Sequence, residues 1–348
     1  MFQEELIGRI LKTDIFGKNG IVLLPINKTL NEQDLIKLAN HNIYIDEKDL
    51  YDIDYLSNYR NDHRKKMKEI ILDLVDMMSD IYEEVRTGQN IPFMAMRENI
   101  VPSVLEITKH PNISEIFELI SNLHNKNQYT YFHNVAVSIL STLIGKWVNL
   151  SEKEMSLLTI GALLHDIGKT KISEEILNKP EKLTVEEVEE IKKHTVYGYN
   201  LIKKTVGASP RIALIALQHH ERENGEGYPL GINGDNIDFL SKIVAIADIF
   251  HAMTSERIYR HAEPFYIVLQ QMSQDVFGKL EPKVMTIFIK RTMEMLLGTK
   301  VRLTDQRVGK IILINPYNPI KPYIQLENNE ILDLNSSSNV NIEKVLYS

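Results

Sequence analysis

Apolar residues recur at three- and four-residue steps through most of the middle of the chain and alternate in short runs at its two ends. This pattern predicts a mainly α fold, a helical core flanked by small N-terminal α/β and C-terminal β segments. Between residues 5 and 30, β-branched runs surround Lys18-Asn19-Gly20, the signature of a hairpin turn. A short helix near 31–40 and a strand over Asn42–Ile45 are expected next. From about Asp62 to Arg86, Met67, Ile70, Ile71, Leu74, Met77, Met78, Ile81 and Val85 mark one face of an amphipathic helix. Roughly 112–297 reads as consecutive helices. Ser151 with Glu154 and Thr184 with Glu187 form capping boxes, and Ser209-Pro210, Glu263-Pro264 and Glu281-Pro282 put proline in a first turn. After Gly298 the texture changes to β-branched alternation broken by prolines, and NSSSN at 335–339 reads as a polar turn or flexible loop. Whether the N-terminal hairpin and the C-terminal strands share a sheet is open at this level. Three domains follow: 1–110, regulatory or structural; 111–297, helical; and 298–348, a small β module.

Composition narrows the function classes. At 348 residues with 43% hydrophobic and 25% charged content, the chain is globular in character and long enough for more than one core. Its net charge of −7 argues against general nucleic-acid binding, which needs a broad basic surface. The absence of cysteine excludes disulfides, thiolate metal sites and cysteine nucleophiles. MFQEELIGRILKTD carries acidic residues where a secretion signal would be basic, and no apolar run approaches the ~20 residues that cross a bilayer. A cytoplasmic protein without membrane partners is expected.

The candidate chemistry sits in the helical middle. In GALLHDIGK an apolar helix ends on His165-Asp166 and stops at Gly168; in ALIALQHHE an apolar stripe runs into His219-His220; in KIVAIADIF Asp248 stands among apolar neighbours. One histidine on a helix is usually surface or satisfied core. A buried, unpaired carboxylate, however, costs several kcal/mol or takes up a proton, and the arrangement occurs on three helices. A cation removes the difficulty. Imidazoles and carboxylates without thiolates suit iron or manganese, with zinc as the alternative. With His133 and His194 in the same helical region, seven candidate ligands exceed one tetrahedral ion, so two divalent ions are expected, a pairing suited to phosphodiester hydrolysis.

His133 in YTYFHNVAV, His165-Asp166 with Gly168-Lys169, His194 in KKHTVYGY, HHERENGEGYP at 219–229 and IADIFHAMTSERIYR at 246–260 together resemble the HD-GYP family, bacterial phosphodiesterases of cyclic di-GMP. The resemblance covers roughly 112–297 and implies a helical hydrolase core of the HD type. It implies His133, His165, Asp166 and Asp248 around one metal and His194, His219 and His220 around a second, with Asp166 bridging. It also implies Asp166 and Lys169 in catalysis, and Lys169, Tyr228, Arg257 and Arg260 on the substrate. Hydrolysis would yield pGpG and, by a second cut, GMP. A non-catalytic receptor for a cyclic dinucleotide or a protein is the alternative. Implied partners are cyclic di-GMP, a GGDEF-type cyclase at the GYP loop and a second copy in a homodimer. Tyr129 stands where some members carry a glutamate for a third metal. His251 stands where a second aspartate is common, either reaching the shell around the metals or packing as an ordinary helix residue.

Overall fold

The computed structural model describes residues 4–17, 22–24, 28, 30–51, 53–109, 113–122, 128–255, 263–275, 278–337 and 340–346. The chain divides into two compact units, Met1–Glu69 and Ile70–Ser348.

In the first unit, strands β1 (Ile15–Phe16) and β2 (Val22–Leu24) pair antiparallel, as the hairpin pattern predicts. The turn residues 18–21 lie outside the described residues. Helix α1 (Glu32–Asn40) starts from a complete capping box, in which Asn31 accepts from the Asp34 amide and Asp34 accepts from the Asn31 amide. These reciprocal bonds satisfy amides that a first turn leaves open. The strand expected over Asn42–Ile45 does not form. Asn42 adopts a left-handed backbone, φ 54°, and the Asn42 and Ile43 amides turn back onto the carbonyls of Ala39 and Leu38. The segment thus terminates α1 rather than joining a sheet. Leu6, Leu11, Ile15, Leu24, Leu30, Leu35, Leu38, Ile45 and Leu50 fill this unit's core.

Helix α2 (Ile53–Arg86) begins about two and a half turns before the periodic stretch detected in the sequence. Its buried stripe from Ile71 to Val85 includes Val75 and Tyr82 beside the expected residues. Three short elements follow, α3 (Phe93–Ala95), a π turn (Met96–Ile100) and α4 (Val101–Ile107), then α5 (Ile113–Asn122). The helical centre is α6 (Tyr129–Trp147), α7 (Glu152–Leu164), α8 (Glu174–Leu177), α9 (Val185–Lys192), α10 (His194–Lys203), α11 (Pro210–Gln218) and α12 (Phe239–Thr254). Residues Phe132–Gly145 of α6 are buried without interruption. A helix apolar all round belongs inside a core, and α6 packs on α4, α7, α12 and the later helix Pro282–Glu294. Two of the hydroxyls it buries are paired: Ser138 Oγ donates to the Thr159 carbonyl at 2.9 Å, and Thr142 and Thr159 share a hydroxyl bond of 2.9 Å, whereas Ser141 Oγ has no hydrogen-bond partner. At Thr184 and Glu187 both halves of the capping box close; at Ser151 only the hydroxyl half forms.

Helices α13 (Phe265–Asp275) and α14 (Pro282–Glu294) complete the helical part. Five antiparallel strands then form one sheet in the order β6-β5-β4-β3-β7: β3 (Lys300–Leu303), β4 (Val308–Leu313), β5 (Tyr323–Leu326), β6 (Ile331–Asp333) and β7 (Ile342–Leu346). This sheet is separate from the N-terminal hairpin. It lies in the same unit as the helices, and the Tyr266 hydroxyl of α13 donates to the Ile320 carbonyl. Of the polar stretch at 335–339, residues 335 and 336 lie in a turn, 337 follows it, and 338 and 339 lie outside the described residues. Among the described residues no helix is long and apolar enough to cross a membrane.

Candidate metal centre

Five elements bring seven ligand-type side chains to one place. His133 comes from within α6, His165 and Asp166 from the end of α7, His194 from the first residue of α10, His219 and His220 from the end of α11, and Asp248 from α12. Glycine makes one of these approaches possible. A Cβ on Gly168 would sit 1.9 Å from the His194 carbonyl oxygen and 2.5 Å from the Gly198 amide nitrogen. The turn after α7 (Ile167–Lys171) therefore lies directly against the first turns of α10, which draws His194 to Asp166. The same contact explains Gly168 in HDIGK and Gly198 in HTVYG together.

The seven side chains form two groups whose ligand atoms lie within 4.8 Å of one another: His133, His165 and Asp248; and Asp166, His194, His219 and His220. Asp166 faces both. Its Oδ2 is 3.4 Å from His165 Nε2 and 4.0 Å from His133 Nε2, while its Oδ1 is 3.2 Å from His194 Nε2 and 3.9 Å from His219 Nε2. His133 Nε2 is 3.0 Å from Asp248 Oδ1, and His220 Nδ1 is 4.0 Å from Asp248 Oδ2.

Tautomers follow from the backbone. Nδ1 of His165 lies 2.7 Å from the Ala162 carbonyl, Nδ1 of His194 lies 2.7 Å from the Ile191 carbonyl, and Nδ1 of His219 lies 3.0 Å from the Ala216 carbonyl. A carbonyl only accepts, so each Nδ1 carries the hydrogen and each neutral ring points an Nε2 lone pair inward. His194 Nε2 and His219 Nε2 are 3.3 Å apart, and both face a carboxylate. Acceptors thus meet acceptors in a buried space. His165 Nε2 and Asp166 Oδ1 are buried without a hydrogen-bond partner. Protonation would fill these gaps, but burial lowers His194 and drives His219 well below the usual imidazole range. Burial also lowers His220, to about 3, although 19% of its side chain is exposed. His133 is lowered by burial despite Asp248. For His165 burial acts the same way, but the adjacent Asp166 outweighs it and the group is raised. Burial alone would raise Asp166; the Lys169 ammonium and the His165 imidazole more than offset it and hold the carboxylate ionised. Two anionic carboxylates amid mostly neutral imidazole lone pairs fit divalent cations and fit little else.

Around this centre, Lys169 Nζ sits 2.5 Å from Asp166 Oδ2. Tyr228 stacks on His220 with ring centroids 4.6 Å apart and 26° between planes, and Lys192 Nζ lies over the Tyr228 ring at 5.4 Å. The loop that carries Tyr228 is tied down by Glu221, a buried carboxylate that accepts from the amides of Leu230 (2.7 Å) and Ile232 (3.2 Å). Tyr129 lies nearly parallel to the His133 ring, at 5.8 Å and 16°. His251 Nδ1 is 2.9 Å from His133 Nδ1, so of the two sequence readings of His251 the structure selects contact with the ligand set. Arg257 and Arg260 lie outside the described residues. Sequence reasoning missed Glu221 and Lys192. Glu221 directly follows the double histidine, and a carboxylate entering a glycine-rich loop is the signal that could have found it; Lys192 carries no comparable mark.

The HD domain family matches residues 118–282 of this chain. The chain is 29% identical over 232 residues to a cyclic di-GMP phosphodiesterase of Pseudomonas aeruginosa, spanning 67% of this chain and 55% of that protein. It is 34% identical over 171 residues to the 3′3′-cGAMP-specific phosphodiesterase 3 of Vibrio cholerae, spanning 49% of this chain and 37% of that protein. With the cyclic di-GMP phosphodiesterase PdeB of Borreliella burgdorferi it shares 27% identity over 346 residues, 97% of this chain and 90% of that protein. The chain therefore spans about half the length of the first relative, little more than a third of the second and most of the third. The HD match encloses all seven clustered histidines and aspartates and the HHERENGEGYP loop that closes on them, so the stretch that builds the centre is the stretch that matches the HD domain family.

Proposed function

We propose that the chain is a metal-dependent phosphodiesterase that hydrolyses cyclic di-GMP in bacterial second-messenger signalling. The observation that carries this reading is Asp166: one carboxylate, held ionised, with each oxygen turned to a different group of imidazole Nε2 atoms. His133, His165, Asp248 and Asp166 Oδ2 would hold one divalent ion, and His194, His219, His220 and Asp166 Oδ1 a second. Iron or manganese suits this nitrogen and oxygen set, with zinc as the alternative. Bound there, the ions would polarise the phosphoryl oxygens and make water nucleophilic near neutral pH.

The chain's own residues do the rest. The backbone carbonyls of Ala162, Ile191 and Ala216 keep three rings in the tautomer that presents Nε2. In the reaction a water oxygen joins phosphorus, the bond from phosphorus to the 3′-oxygen breaks, and a proton ends on that 3′-oxygen. Lys169, beside Asp166, supplies positive charge where the departing oxygen becomes negative. Arg257 and Arg260 would hold the dinucleotide's phosphates, since a guanidinium fork matches phosphate oxygens. Tyr228 would border the substrate from its seat on His220. The first product is pGpG, from which a second cut would give GMP.

Residues 111–297 form the proposed catalytic domain, with 1–110 and 298–348 as accessory domains. The chain's lack of cysteine agrees with a cytoplasmic location. A GGDEF-type cyclase docking on the GYP loop, and a homodimer, are the proposed assemblies. The complete ligand set supports the enzyme over a receptor that binds without cutting. Incubating manganese- or iron-loaded protein with cyclic di-GMP and, separately, cyclic GMP-AMP, then resolving the products by chromatography, tests the reading. Cyclic di-GMP is expected to give pGpG at the higher rate. Bound but uncut dinucleotide would contradict the proposal.

A further inference from the structure

Where Nδ1 of His165, His194 and His219 faces a backbone carbonyl, Nδ1 of the buried His133 faces His251 Nδ1 at 2.9 Å. Only one hydrogen fits between two ring nitrogens. His251 Nε2 in turn lies 3.0 Å from Ser255 Oγ, and His251 and Ser255 are each 1% exposed. The rings of His133 and His251 are 5.0 Å apart, and Phe132 closes the other side of His251 with ring centroids 6.0 Å apart. A serine hydroxyl can either donate or accept, so the chain His133–His251–Ser255 is satisfied in either direction. In one direction His133 donates from Nε2 to Asp248 Oδ1, 3.0 Å away. In the other, His133 donates from Nδ1 to His251, His251 donates from Nε2 to Ser255, and His133 Nε2 is left as a lone pair beside the Asp248 carboxylate.

We propose that His251, backed by Ser255, is the positioning residue that gives His133 its ligand tautomer, a task that backbone carbonyls perform for His165, His194 and His219. The proposal rests on the metal-centre reading above. An imidazole in this role differs from a carboxylate, which could only accept: His251 lets His133 return its hydrogen to the Asp248 side when no cation is bound. Outer partners of ligating histidines typically set metal affinity by about 10- to 100-fold.

The test is equilibrium zinc affinity of the full chain, by competition with a chromophoric chelator, for wild type, His251→Leu and His251→Asp, with circular dichroism as the fold control. His251→Leu, which leaves His133 Nδ1 with no acceptor, is expected to weaken binding about 10- to 100-fold. His251→Asp, which restores an acceptor, is expected to recover it to within a few-fold. Equal affinity in wild type and His251→Leu would overturn the proposal, and so would an aspartate variant as weak as the leucine variant. If His251→Leu does not fold, nitrogen-15 NMR of the zinc-loaded wild type decides. Hydrogen on His133 Nδ1 and His251 Nε2 is expected; hydrogen on His251 Nδ1 overturns it. A wild-type chain that binds no zinc, iron or manganese would sink the metal-centre reading itself, a result distinct from these.

Discussion

Asp166 Oδ1 stands 3.2 Å from His194 Nε2, two groups separated by a loop, a short helix and all of α9 yet joined where Gly168 lets two backbones touch. The other oxygen of the same carboxylate faces His165 and His133. Replacing Asp166 by asparagine keeps the volume and removes the charge and one acceptor. Metal content, measured by mass spectrometry of the dialysed protein, is expected to fall from two ions per chain to one or none. Two retained ions would remove Asp166 from the bridging role.

Lys169 lies 2.5 Å from Asp166 Oδ2 and is not among the usual metal-ligand residue types. Lys169→Met is therefore expected to retain both ions while lowering kcat about 100-fold, the scale of losing one charge-stabilising donor. Metal content and kcat measured on one preparation separate the two effects. An unchanged kcat would confine Lys169 to balancing the charge of Asp166.

Gly168 is predicted to tolerate no side chain, because the atoms in the way are backbone and cannot swing aside. Gly168→Ala should destabilise the metal-free protein by about 1–3 kcal/mol in urea unfolding, the usual cost of overpacking, and should weaken metal binding by moving His194. A variant as stable as wild type would show that the two turns separate easily.

The site's acid sensitivity has a definite sign. Burial holds His220 at about 3 in the folded chain, whereas the unfolded group protonates near 6.5. The unfolded state thus binds more protons in that window, so stability is full above about pH 6.5 and declines as pH falls toward 3. Between pH 7 and pH 5 this amounts to about 2 kcal/mol for His220. Chemical denaturation of metal-free wild type and His220→Asn at both pH values is expected to show the wild type losing about that much more than the variant. Equal losses would mean that His220 protonates freely when folded.

Much of the site was legible in the sequence because five of its seven ligand-type residues end or interrupt an apolar helix. His165-Asp166, His219-His220 and Asp248 break the hydrophobic pattern of α7, α11 and α12 where a core would exclude them, and the structure brings them together with His133 and His194. What the sequence did not disclose depends on bonds between side chain and backbone, which leave no periodic trace. The carbonyls that choose tautomers belong to unremarkable Ala162, Ile191 and Ala216, and the carboxylate that anchors the loop, Glu221, bonds to amides nine and eleven residues on. At the fold level, strong periodicity found α2, while Asn42–Ile45 looked like a strand by residue type alone. There a local turn on Asn42 prevailed over β propensity.

The central claim is that Asp166 lies between two cations. Crystals of the manganese- or iron-reconstituted chain, with anomalous diffraction recorded above and below the metal's absorption edge, address it directly. Two anomalous peaks are expected, one beside His133, His165 and Asp248 and one beside His194, His219 and His220, with an Asp166 oxygen on each. A single peak, or none, from protein loaded with excess metal would contradict it.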